Sequence, residues 1–169
     1  MDSLAAARVP FRAELLGDGA LWRACYTRGS TPRWQRNAKL LPSFKNRAGQ
    51  AYTLSGAAGG GTVVNYGEVL GRRLYFKAEG SFVPANTATS RCPKSFNVAI
   101  DQGGLVLVER LPLLSSAISG PGFLRCLYID ESLRIFESPR DSPDRWEEAG
   151  LQVVQVRDAV FDDAVEGEL

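Results

Sequence analysis

The chain contains no histidine among its 169 residues, and this absence excludes several classes of catalytic and metal site. Ser-His-Asp and Cys-His catalysis need an imidazole, as do the zinc sites that use histidine ligands. The three cysteines, Cys25, Cys92 and Cys126, stand singly without a CxxC pair, which argues against a disulfide scaffold. Cys25 and Cys126 lie within apolar segments typical of strands, so we expect both to be buried. The sequence therefore predicts no metal and no cofactor.

Long apolar runs are also missing from the chain. No run approaches the roughly 20 residues that a helix needs to span a bilayer. The first residues lack the apolar core of a secretory signal, and Asp2, Glu14 and Asp18 fit poorly with a transit peptide, which is poor in acidic residues. We therefore expect any organelle-targeting peptide to lie outside this chain.

The pattern that is present is that of a single all-β domain. Hydrophobic residues make up 44% and charged residues 23%, and 17 glycines separate short apolar runs. Strands are predicted over 22–27, 50–54, 62–70, 73–83, 95–100, 105–111, 123–129, 133–136 and 151–157. About eight or nine antiparallel strands at short spacing indicate a barrel or a sandwich, since closure of the sheet removes its exposed edges.

Two glycine-containing segments, 56–61 and 102–104, are predicted as turns because glycine adopts positive φ freely. The run at 59–61 precedes a β-branched strand and lacks the GxxxxGK[ST] pattern of a phosphate-binding loop, so we interpret it as a hairpin turn. In the first strand, Trp22, Ala24 and Tyr26 alternate with other residues and are expected on one face.

A basic helix is predicted over 32–41, with Thr31 as its cap and Pro42 ending it. The side chains that characterise it are Trp34, Arg33, Arg36 and Lys39. One interpretation is a solvated helix that covers a barrel end; the other is contact with an anionic membrane surface. Nucleic-acid binding is not expected, since no recognition helix or RNP-like aromatic strand is present. A second short helix is predicted after Ser142.

The acidic residues Asp130 and Glu131 fall in a turn between two predicted strands. Neighbouring residues of an extended chain point to opposite faces, so the two carboxylates are poorly placed for acid-base catalysis. We favour a structural turn in which Asp130 accepts backbone N–H bonds. The alternative is a ligand contact at a barrel mouth, for which Tyr128 and Tyr66 are further candidates, because strand tyrosines either fill the core or surround a ligand. No catalytic pair is assembled, so we expect a protein that is not an enzyme.

Four segments in order carry a resemblance to a known family. They are the opening GDGALWRACYTRG, the central GTVVNYGEVLGRRLYFKAEGSFVPA, the closing LYIDESLRIFESP, and a WEEAG helix followed by VVQVR. Together they cover roughly residues 17–157, and the chain resembles the plastid lipid-associated protein (fibrillin) family on these segments. The resemblance implies a lipocalin-like β-barrel in which an arginine packs over a tryptophan. Trp22 and Arg134 stand at those positions and would close the barrel, a structural role.

The resemblance also implies a location and a function. It implies a chloroplast or other plastid protein at thylakoids or plastoglobules, with no catalytic residues. It would bind or sequester a small hydrophobic molecule such as a prenylquinone, carotenoid or acyl lipid. The alternative is a structural or docking protein that coats lipid bodies or a thylakoid complex without a bound ligand. Family members often carry a helical segment before the first strand; here about 16 residues precede it, so barrel closure would rest on the 32–41 helix.

The predicted domain organisation is simple. Residues 1–16 form a lead segment, residues 17–158 form the barrel domain, and residues 159–169 form an acidic, flexible tail. The expected partners are a hydrophobic molecule and the surface of an anionic membrane.

Overall fold

A computed structural model of the chain describes residues 1–31, 46–55, 59–107, 111–116, 120–140 and 149–158. Two short helices, α1 (Asp2–Ala6) and α2 (Ala13–Leu16), precede the sheet. The strands of the described residues are β1 (Trp22–Arg28), β2 (Ala48–Leu54), β3 (Gly61–Glu68), β4 (Leu74–Pro84), β5 (Lys94–Leu107), β6 (Leu111–Ser116), β7 (Gly120–Ile129), β8 (Leu133–Glu137) and β9 (Gln152–Arg157). In these residues no helix is long and apolar enough to cross a bilayer.

The sheet closes on itself through antiparallel pairings between strands that follow one another along the chain. The ring runs β1-β2-β3-β4-β5-β7-β8-β9, and β9 pairs with β1 to complete it. Strand β6 lies outside the ring, where it pairs with the last residues of β5. The prediction of an all-β antiparallel barrel with short helices is confirmed.

Of the two predicted glycine turns, one is present and the other is not. Strands β2 and β3 form a hairpin next to Gly59–Gly61, where Gly59 has a positive φ, as expected. The predicted turn at 102–104 is wrong, because these residues lie inside β5, where Gln102 pairs with Glu79. The long strand β4 supplies partners along this whole stretch, so two predicted strands merge into one. A register shift beside Gly80 bends the pair without ending it.

A second bulge changes the exposed face of β1. The register of β1 with β9 shifts between Ala24 and Tyr26, and Cys25 lies between them without an opposite residue. Cys25 and Tyr26 are therefore exposed, and the prediction of a buried Cys25 is wrong, as is the shared face of Trp22 and Tyr26. Cys126 is fully buried, as predicted.

Aromatic rings fill the interior of the ring. Phe136, Tyr52, Phe82 and Phe96 are at most 3% exposed, and their neighbouring centroids lie 5.1–5.7 Å apart. Phe11, from the segment before β1, extends this row because its ring lies 5.7 Å from that of Phe96. Contacts of this kind each contribute about 0.5–1.5 kcal/mol beyond area burial.

The lead segment packs against the barrel. Leu16 of α2 is 1% exposed and belongs to the same core cluster as the interior aromatic residues. Pro10 forms an isolated bridge with Arg91, and the Phe11 N–H donates to the Ser90 carbonyl. The lead segment thus contributes side chains to the core. The predicted helices at 32–41 and after Ser142, and the tail at 159–169, lie outside the described residues.

Candidate functional site

A hydrogen-bonded network of polar side chains surrounds Arg134 in the barrel. Arg134 on β8 is fully buried; its Nε donates to Gln155 Oε1 at 2.6 Å and its Nη2 donates to the Gln50 carbonyl. The Gln50 side chain accepts from Gln155 Nε2 at 3.0 Å and from the Tyr52 hydroxyl at 3.3 Å, and it donates to Asn65. Strands β2, β3, β8 and β9 are therefore tied together inside the ring.

Aromatic faces surround the same guanidinium. Arg134 Cζ lies 4.7 Å from the Trp22 ring centroid, 5.2 Å from that of Tyr52 and 5.4 Å from that of Phe136. Burial lowers the pKa of Arg134 to about 10, so the side chain is still a cation at neutral pH. Burial also raises the pKa of the Tyr52 hydroxyl, although the charge of Arg134 opposes this. The structure thus brings together the two residues, Trp22 and Arg134, that the resemblance pairs.

The other candidate residues fall in two separate places. Asp130 Oδ1 accepts from the Ser132 and Leu133 N–H groups at 2.8 Å, and Oδ2 accepts from the Tyr128 hydroxyl at 2.8 Å. Burial acts to raise the pKa of Asp130, but the hydrogen bonds from Ser132, Tyr128 and Leu133 prevail and lower it. The turn interpretation of Asp130 is confirmed. Tyr66 packs instead on Tyr75 in a second apolar cluster, with ring centroids 5.1 Å apart.

Buried titratable groups elsewhere in the barrel are held by structural contacts. Glu68 is 1% exposed and accepts from the Arg47 backbone and guanidinium. Lys94 donates to the carbonyls of Asn86 and Thr89. Burial and contact with Cys92 raise the pKa of the Cys126 thiol. No group of acidic residues and cysteines within the described ranges is suited to hold a metal ion.

A groove of about 450 Å³ opens on the outside of the barrel, between α1 and the strands β1, β8 and β9. Its lining is mostly apolar and consists of Met1, Asp2, Leu4, Tyr26, Arg28, Leu133, Ile135 and Val154. Leu4 is 39% exposed and Tyr26 is 55% exposed, so two large apolar side chains face solvent here. Contiguous exposed apolar surface is one mark of a binding site.

One ion pair stands at the edge of this groove. Arg28 Nη1 and Nη2 donate to the two carboxylate oxygens of Asp2 at 3.0 and 2.5 Å. Gln152 Oε1 accepts from Arg28 Nε at 3.0 Å and orients the guanidinium. The hydrogen bond and charge of Arg28 lower the pKa of Asp2, and those of Asp2 raise the pKa of Arg28. We call the groove and this ion pair the α1 groove.

Sequence reasoning missed the α1 groove. Asp2 and Arg28 are 26 positions apart, and no local sequence pattern predicts their contact. The exposed Tyr26 follows from the β1 bulge, which alternation alone does not predict. The membrane-surface candidates Arg33, Trp34, Arg36 and Lys39 lie outside the described residues.

Comparisons of the chain with protein-family models, with curated proteins and with solved structures found no match.

Proposed function

We propose that this is a non-catalytic lipid-associated protein that binds a small hydrophobic molecule, such as an acyl lipid, prenylquinone or carotenoid. The observation that carries the proposal is the α1 groove. Its volume of about 450 Å³ falls in the range of about 300–1,000 Å³ typical of ligand sites. Apolar side chains line it and a single ion pair stands at its edge, which is the usual composition of a small-molecule site.

The packing of the barrel interior moves the proposed site from the barrel mouth to the outer face. Tyr52, Phe82 and Phe96 are each 1% exposed and contact one another across the ring. A ligand that entered there would have to displace several aromatic rings, each of which contributes apolar burial of its own. The outer groove needs no such displacement, because Leu4 and Tyr26 already face solvent.

Burial of apolar surface would supply the affinity. Each methylene withdrawn from water contributes about 0.8 kcal/mol, so affinity should rise about fourfold for each methylene that the groove accommodates. The affinity for saturated alcohols should increase with their length until the alkyl chain is longer than the groove.

The test compares two strand residues with nearly equal exposure. Tyr26 is 55% exposed and lies in the groove, whereas Val83 is 54% exposed and lies on β4 outside it. Native mass spectrometry of the protein mixed with plastid lipids should show a stoichiometric adduct for the wild type and for Val83→Gln. Tyr26→Gln should lose most of the adduct, by about tenfold, because a large apolar wall is removed. Equal loss in both variants would contradict the assignment of the groove.

The second candidate is a structural or docking protein that coats lipid bodies or a thylakoid complex. The interior row of aromatic rings favours it, since a filled barrel can serve as a rigid support. A wild-type protein that stays free of every lipid offered would favour this candidate over ligand binding.

We further propose a plastid location, on the basis of the family resemblance alone. In this proposal the basic residues Arg33, Arg36 and Lys39, with Trp34, bring the protein to the anionic surface of a thylakoid or plastoglobule.

A further inference from the structure

The α1 groove contains one basic side chain, Arg28, and the chain places its own carboxylate on it. Two parallel hydrogen bonds to Asp2 use one side of the guanidinium, and Gln152 holds the other side through Nε and Nη2 at 3.0 and 2.7 Å. This is the bidentate geometry with which arginine recognises carboxylates. The site is thus built for a carboxylate and is satisfied in the described structure by an internal one.

The internal carboxylate is held in an exposed position. The Asp2 side chain is 79% exposed and the Arg28 side chain is 44% exposed. Ion pairs in such positions are weak, because water screens the charges and the side chains lose rotamer freedom. Asp2 can therefore leave Arg28 for solvent at little cost, and α1 need not unfold for this to happen.

Apolar side chains extend from the same arginine. Leu133, Ile135 and Val154 of the sheet line the groove together with Met1 and with Leu4 of α1. Ile135 is 1% exposed, whereas Leu4 is partly open to solvent. A molecule with a carboxylate at one end and an alkyl chain behind it would match both the charge of Arg28 and this apolar lining.

From this arrangement we propose that the α1 groove binds long-chain carboxylates, with Arg28 holding the head in place of Asp2 and the alkyl chain lying between α1 and strands β1, β8 and β9. The inference rests on the proposed function and deepens it by naming the ligand class. Asp2 competes with the ligand carboxylate for Arg28, so the affinity for the ligand depends on the free energy needed to break the Asp2–Arg28 ion pair.

The test separates the head group from the chain. Equilibrium dialysis would measure the binding of palmitate and of hexadecanol, which has the same chain length and a neutral head. We expect the wild type to bind palmitate about threefold more tightly, the effect of one partly exposed ion pair. Arg28→Gln should remove this preference, so that the variant binds palmitate no more tightly than hexadecanol. Added salt should reduce the preference in the wild type.

A matched control is available on the same molecule. Arg12 pairs with Glu131 with side-chain exposures of 42% and 80%, close to those of Arg28 and Asp2. Arg12→Gln should keep the preference for palmitate. Asp2→Asn should raise the affinity for palmitate about threefold, since the competing charge is gone.

The outcomes distinguish a failure of the carboxylate inference from a failure of the proposed function. If wild type binds both ligands equally, the carboxylate inference is overturned while the proposed function stands. If it binds neither ligand, both fail. If Arg12→Gln loses the preference as fully as Arg28→Gln, the effect is one of overall charge and the site is not the α1 groove.

Discussion

Arg134 shows at the scale of a single residue how the barrel accommodates a buried charge. A guanidinium removed from water is costly unless acceptors and polarisable groups replace its hydration. Gln155 and the Gln50 carbonyl accept hydrogen bonds from its Nε and Nη2, and the ring centroids of Trp22, Tyr52 and Phe136 lie within 5.4 Å of its Cζ. The network links four strands of the ring, which supports a structural role for this residue.

We predict that Tyr52, in the same network, makes stability sensitive to alkaline pH. Burial raises its pKa in the folded protein, whereas in the unfolded chain a tyrosine ionises near pH 10. The stabilising contribution is therefore complete below about pH 10 and is lost as the pH rises further, with a slope of at most about 1.4 kcal/mol per pH unit. The free energy of unfolding, measured with urea between about pH 10 and 11.5, should fall less steeply with pH for Tyr52→Phe than for the wild type. An unchanged slope for Tyr52→Phe would contradict this dependence on pH.

At the scale of the elements, bulges and glycines shape the strands. Strand β5 has 14 residues and pairs in turn with β4, β6 and β7. The register shift beside Gly80 leaves Asp101 without an opposite residue and lets β5 bend around the ring. A Cβ at Gly80 would lie 2.0 Å from the Ala99 carbonyl oxygen, so only glycine allows this approach of the two backbones.

This approach predicts that Gly80→Ala destabilises the protein by about 2 kcal/mol, since backbone must shift to relieve the overlap. Gly120, on β7, is the control, because a Cβ there meets nothing within 4 Å. Gly120→Ala should change the free energy of unfolding by less than about 0.5 kcal/mol. Urea midpoints with unchanged m-values would measure both effects. Equal effects of the two substitutions would mean that the close approach at Gly80 does not matter.

At the scale of the whole molecule, closure of the sheet and packing of the lead segment produce two distinct surfaces. The interior is filled by aromatic rings, to which Phe11 and Leu16 of the lead segment contribute. On the outside, α1 leaves the groove open beside Arg28. A filled barrel with an apolar outer groove favours binding at the surface over enclosure of a ligand.

The proposed membrane contact leads to a prediction for the whole molecule. We predict that reversing Arg33, Arg36 and Lys39 to Glu weakens binding to vesicles that contain phosphatidylglycerol. Each basic residue near an anionic surface contributes about 1 kcal/mol, so the loss should reach about two orders of magnitude. Vesicle flotation at increasing salt would measure it.

The control for this experiment replaces Arg8, Arg73 and Arg91 with Glu. These three residues are exposed, and their replacement changes the net charge by the same amount. This variant should retain most of the binding. A similar loss in both variants would indicate a response to net charge, and unchanged binding in the first would contradict the membrane contact.

Local chemistry in the sequence determined much of the fold. Alternation marked most of the strands, glycine at 59–61 marked a hairpin, and Asp130 marked a turn, because each depends on residues within a few positions. The pairing of Trp22 with Arg134 came from the resemblance and is a contact in the structure.

The features that depend on strand register are absent from the local sequence pattern. The apolar segment around Cys25 predicts a buried thiol, and alternation places Tyr26 on the face of Trp22. Pairing with β9 introduces a bulge that exposes both Cys25 and Tyr26. Glycines at 102–104 read as a turn, but β4 is long enough to hold them in a strand. The contact of Asp2 with Arg28, and with it the groove, exists because α1 lies on the closed ring. Local conformational preferences determine each strand and turn. The register between strands determines which faces meet, and it depends on pairings between residues that are distant in the sequence.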